Sequence, residues 1–147
     1  MRPLSAALAL VAALAVPARP AGSEHFGVTA AFVARPGADG AIAVTFSEKD
    51  PDVHVNQEPA PRLKLDPSQA VLIGKQPPPP SRVTPFDPAT AKYLDPKVPV
   101  RFPAALAPGA PKGPHTVKAV VTYFYCSERE GWCRKGSAEV EVPVTVP

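Results

Sequence analysis

The sequence is poor in the residues that most catalytic chemistries require. Methionine occurs once, at Met1, tryptophan once, at Trp132, and cysteine twice, at Cys126 and Cys133. Without an internal methionine there is no thioether set for copper. The histidines, His25, His54 and His115, stand apart from one another in the chain. The six residues between the cysteines exceed the roughly two to four usual between paired zinc ligands. No metal and no cofactor are therefore expected. Serine, histidine and aspartate are all present, but no nucleophile-elbow pattern gathers them, so hydrolase chemistry is not expected either. Charge of one sign is also lacking. Sixteen basic and 13 acidic residues give a net +3. Arg62, Lys64, Lys75, Arg82, Lys92 and Lys97 are scattered rather than striped, which removes the electrostatic case for nucleic acid or a membrane surface.

A long apolar run occurs only at the start. Met1-Arg2 is a short positive region, Leu4 to Val16 is apolar apart from Ser5, and Val16-Pro17-Ala18 offers small or compact residues at a cleavage site. This is the anatomy of a secretory signal, too short to span a bilayer as a mature helix. Residues 1–18 are expected to be a signal peptide, with cleavage extending to Ala21 as the alternative. No cysteine stands there, so a lipoprotein anchor is not expected. The mature chain has no membrane-spanning candidate, and a periplasmic or secreted location follows. One domain, residues 24–147, remains.

What is abundant is proline. The 22 prolines and 9 glycines of 147 residues are just short of the range that signals disorder, while 45% apolar content supplies a core. Helical periodicity is almost absent, and strand patterns recur. Strands are expected at His25–Val33, Ala41–Phe46, Val53–Asn56, Arg62–Leu65, Val71–Ile73, Val98–Phe102, Thr116–Cys126 and Ala138–Val146. Pro36 to Gly40 reads as a turn. Gln76 to Ser81, with four consecutive prolines, reads as a stiff loop, because proline cannot donate to a ladder. Pro103 to Pro114 reads as a second proline-rich connection. In the last strand Val140, Val142, Val144 and Val146 share one parity. Pro143 falls on the other and marks an edge. The pattern predicts an all-β, antiparallel immunoglobulin-like β-sandwich with long proline-rich loops.

Cys126 and Cys133 fall at adjoining ends of the last hairpin, within bridging reach. In an exported protein they are expected to form a disulfide. Two readings stand. As a staple, closing a loop of about eight residues contributes about 2.5 kcal/mol by chain entropy. As a redox-active pair, a bridge at a hairpin tip is open to a partner thiolate; Arg129, Arg134 and Lys135 are near enough in sequence to favour a thiolate, and Glu128 and Glu130 oppose them. Cys126 has the parity of Lys118 and Thr122, opposite to Val117, Val121, Tyr123 and Tyr125, and is expected to point away from the core.

The segment Val121-Thr122-Tyr123-Phe124-Tyr125-Cys126, then Gly131-Trp132-Cys133 and an alternating valine strand, resembles the N-terminal periplasmic domain of DsbD-type thiol:disulfide interchange proteins. Upstream, Phe86, Tyr93, Asp95 and Val98-Pro99-Val100 resemble that family's cap loop and the strand after it. The resemblance spans residues 25–146. The acidic residues before the family's cap aromatic are replaced here by Val83-Thr84-Pro85. The resemblance implies a thiol–disulfide oxidoreductase module that exchanges electrons with thioredoxin-like exported or membrane-linked proteins. It implies Cys133 as the attacking thiol, Cys126 as the resolving thiol, and Phe86 with Tyr93 as a cap over the disulfide. Family members continue into membrane and thioredoxin-like domains. This sequence ends at Pro147, so a stand-alone module, separate partners, or a retained fold without the activity is expected. A non-catalytic immunoglobulin-like binding or assembly domain with a structural disulfide is the alternative.

Overall fold

The computed structural model of the chain describes residues 23–35, 39–74 and 92–147. The residues expected to form the signal peptide, the proline run Gln76–Ser81 and the cap residue Phe86 lie outside them. The described residues form eight strands and no helix: β1 (Phe26–Ala34), β2 (Asp39–Glu48), β3 (Val53–Val55), β4 (Arg62–Leu65), β5 (Leu72–Gly74), β6 (Val100–Leu106), β7 (Gly113–Ser127) and β8 (Trp132–Val146).

Alternation of apolar and polar residues sets the two layers. One sheet has the order β1-β2-β6-β5. The other is built on β7, with β8 on one side and β3 and β4 in succession on the other. Every pairing is antiparallel. With β3 and β4 counted as one interrupted strand, this is the A-B-E-D over C-F-G order of constant-type immunoglobulin domains. The expected immunoglobulin-like sandwich is the fold observed.

The inner faces supply the core. Phe26 and Val28, Ile42, Val44 and Phe46, Val117 to Tyr125 on the odd positions, and Ala138, Val140, Val142 and Val144 are all buried. Each fully buried valine, isoleucine or phenylalanine side chain contributes roughly 1.5–3 kcal/mol. Tyr123 is fully buried among Phe26, Phe46 and Tyr125, with ring centroids 5.9, 5.0 and 5.8 Å away. Its cross-strand partner is Gly136, where an added Cβ would lie 2.6 Å from the Tyr123 ring. Glycine here makes room for the ring, the usual meaning of a glycine inside a strand.

Three expectations about strand ends are corrected. β6 does not stop at Phe102 but runs through Pro103 to Leu106. Pro103 faces Ala41 of β2, while β5 ends at Gly74 opposite Ala104, so no described strand stands on the other side to require its missing N–H. The expected connection Pro103–Pro114 shrinks accordingly, because β7 already begins at Gly113. β8 begins at Trp132, six positions before the valine alternation, because β7 supplies a partner for every residue from Trp132 onward.

Three connections meet at one end of the sandwich. They are the β2–β3 turn, the segment that returns to β6, and the β7–β8 turn. Residues 92–94 of the returning segment lie along the free edge of β3. Leu94 N–H donates to Val55 O at 2.9 Å, Gln57 N–H donates to Lys92 O at 2.7 Å, and Asn56 pairs with Tyr93.

Candidate functional site

The β7–β8 turn is closed by Glu128 to Gly131. Gly131 has φ 70°, a conformation that favours glycine, and its N–H donates to Ser127 O at 2.9 Å. The turn puts Cys126 directly opposite Cys133, and the two form a disulfide with S–S 1.98 Å and Cα–Cα 4.1 Å. That short Cα separation marks a narrow, non-hydrogen-bonded pair of an antiparallel ladder. The backbone N–H and C=O of Cys126 therefore turn the other way, toward β3, where its register partner is His54.

Cys126 has the outward parity expected of it, yet it is buried, with 7% exposure. Cys133 is exposed. The asymmetry comes from the neighbours on each side. Beyond Cys133 no described strand continues the sheet, whereas beyond Cys126 lie β3 and then residues 92–94. Tyr93 is itself buried. Its ring stands 5.1 Å from the His54 ring, and its hydroxyl donates to Glu128 Oε1 at 3.1 Å. Lys92 pairs with the same Glu128 oxygen at 3.5 Å. Tyr93 thus reaches from β3 to the hairpin tip. Burial first, then the hydrogen bond to Glu128 and its charge, hold the Tyr93 phenol above its ordinary range. Tyr93, Cys126, Cys133, Glu128, Asn56 and Trp132 border one open depression of about 620 Å³.

The cations near the cysteines are differently disposed from their sequence proximity. Arg129 is drawn to Asp52 of the β2–β3 turn at 2.8 Å. Arg134 lies over the Trp132 ring, 4.4 Å from its centroid. Only Lys135 has the parity of Cys133. Trp132, opposite Ser127, has inward parity. It packs edge-on against Tyr125 at 5.8 Å and tilted against His25 at 5.5 Å, and its Nε1–H donates to Glu130 Oε2 at 2.5 Å.

Comparison with protein-family models, with curated proteins and with solved structures gives no match. The case for this site rests on its own geometry.

Of the site residues expected from sequence, Cys126, Cys133 and Tyr93 are brought together at this end of the sandwich, and Phe86 lies outside the described residues. His54 was read as isolated, but it is the cross-strand neighbour of Cys126, with Nδ1 3.1 Å from Glu48 Oε1. Alternation in Val53-His54-Val55 shows that His54 faces outward. Nothing in the sequence gives its register against a strand some seventy residues later. Among the described residues, no cluster of three or more His, Cys, Asp or Glu is placed to hold a metal ion, and no helix is long and apolar enough to cross a membrane.

Chemically, the two sulfurs are unequal. An incoming thiolate reaches the sulfur of the exposed Cys133 and displaces that of the buried Cys126. Which sulfur is attacked in thiol–disulfide exchange depends on access as well as on thiol acidity.

Proposed function

We propose that the chain is an exported thiol–disulfide interchange module of the DsbD N-terminal type. It takes or gives electrons through Cys126–Cys133 in exchange with thioredoxin-like partners. The observation that carries this reading is the placement of the bridge. It lies on the outer face, at the border of an open depression, with one cysteine exposed and the other sheltered. Exchange with a partner dithiol needs one accessible sulfur, which an exposed Cys133 supports. The partner thiolate attacks Cys133 Sγ, the Cys126–Cys133 bond breaks, and Cys126 leaves as the thiolate. In the reverse direction Cys133 attacks and Cys126 resolves. Tyr93, and Phe86 by the family resemblance, would shelter the pair until a partner arrives. The N-terminal apolar run supports export to an oxidising compartment.

A second reading is an immunoglobulin-like binding or assembly domain whose disulfide is structural. The burial of Cys126 and the tethering of the hairpin tip by Arg129–Asp52 and Tyr93–Glu128 favour it. One measurement separates the two. The protein is equilibrated in glutathione buffers, and the reduction potential of the pair is determined. A potential well above about −300 mV, with mixed disulfides to thioredoxin trapped by Cys126→Ala and not by Cys133→Ala, is expected for the exchange module. A potential well below that value, without exchange with thioredoxin, overturns the proposal.

A further inference from the structure

We infer that His54, oriented by Glu48, is the acid–base group that serves the Cys126 sulfur during exchange. The inference rests on the exchange reading above.

The need arises from burial. When a thiolate attacks Cys133, the departing sulfur of the buried Cys126 carries a full negative charge, and an unpaired buried charge is costly. The residue in register with Cys126 that can supply a proton is His54. It faces Cys126 across the β3–β7 ladder as a hydrogen-bonded register pair, so the two side chains leave the sheet on the same face. Such pairs have Cβ atoms about 4.5–5.5 Å apart, within reach of an imidazole. Glu48 Oε1, 3.1 Å from Nδ1, accepts the Nδ1 proton, which makes Nε2 the nitrogen that exchanges a proton. The other charged and titratable groups described around this pair include Tyr93 and Lys92 on the returning segment, Glu58 after β3, Glu128 and Arg129 at the hairpin tip, with Asp52 held by Arg129, and Lys135 on the face of Cys133.

The step balances. The partner thiolate forms a bond to Cys133 Sγ, and the Cys126–Cys133 bond breaks with its electron pair on Cys126. The His54 imidazolium then passes its Nε2 proton to Cys126, which becomes a thiol beside a neutral imidazole. In the reverse step neutral His54 removes the Cys126 proton as that sulfur attacks the mixed disulfide, and the partner leaves as its thiolate. General acid–base assistance of this kind is typically worth 100-fold or more.

The test is reduction of the purified protein by dithiothreitol between pH 5 and 9, followed by Trp132 fluorescence, with each rate divided by the dithiothreitol thiolate concentration. The wild-type corrected rate is expected to show a limb that falls as pH rises. His54→Gln is expected to be at least tenfold slower at pH 6 and to show no such limb. Glu48→Gln keeps the imidazole without its orienting carboxylate, and is expected to lose part of the acceleration and keep the limb. A His54→Gln protein with the wild-type rate and profile overturns the role of His54 and leaves the exchange reading standing. If His54→Gln does not fold, an unchanged rate in Glu48→Gln overturns the role instead. A wild-type disulfide that dithiothreitol does not open overturns both.

Discussion

The proposed exchange requires the fold to persist in both the disulfide and the dithiol state, and the structure predicts that it does. Reducing the bridge removes a constraint from the unfolded chain. The cysteines are seven positions apart, and a closed loop of about eight residues corresponds to about −8 cal/mol/K, or about 2.5 kcal/mol at 25 °C. On the folded side little is lost. β7 and β8 are each 15 residues long and paired along their whole length, and only the outermost rungs lie beyond the bridge. The hairpin tip keeps its ties through Arg129–Asp52 and Tyr93–Glu128. A domain of this size has about 5–15 kcal/mol in total, so a loss of about 2.5 kcal/mol leaves it folded. Urea unfolding followed by tryptophan fluorescence, with and without a phosphine reductant, is the assay. With a slope of about 1–3 kcal/mol/M, the midpoint is expected to fall by about 0.8–2.5 M with the slope little changed. A reduced protein with no cooperative transition, or a loss above about 5 kcal/mol, refutes this reasoning and makes the bridge a structural requirement.

Two further outcomes are expected. Gly136→Ala places a methyl group 2.6 Å from the Tyr123 ring and should cost about 1–3 kcal/mol in urea unfolding, with most of that cost absent in a Tyr123→Leu background. Tyr93, whose phenol is raised by burial and then by Glu128, favours folding fully below the unfolded phenol value of 10.0, and that contribution is lost as pH rises through the higher folded value. Stability should therefore fall above about pH 10, and a Tyr93→Phe protein should lose less over the same range, as read from denaturant midpoints at each pH.

The sandwich was legible in the sequence wherever burial alternated. Ile42, Val44 and Phe46 on β2 and the valines of β8 gave both face and period, and Arg62–Leu65 was delimited to the residue. What failed to show were strand segments maintained by a partner rather than by their own pattern. Arg134-Lys135-Gly136-Ser137 has no strand signature of its own and is extended because β7 runs opposite it. Pro103 looked like a break, but at Pro103 itself β6 is paired with β2 alone among the described strands, because β5 ends opposite Ala104. At the site, the cysteines and their bridge followed from a local hairpin. The shelter over Cys126 and the approach of His54 did not, because both depend on where residues 53–56 and 92–94 settle against β7, and such long-range register leaves no local trace.

The narrow pairing at Cys126–Cys133 also bears on how copies of this chain avoid one another. Narrow and wide rungs alternate, so every odd residue of β8 turns its N–H and C=O away from β7, toward the side where no described strand pairs. A fifteen-residue row of open backbone groups would template a second molecule. Pro143 sits on an odd position and removes one donor near the C-terminal end of that row, while the side chains of Glu139, Glu141 and Lys135 stand exposed along it. The strand that exposes Cys133 is thereby made a poor surface for adding another strand.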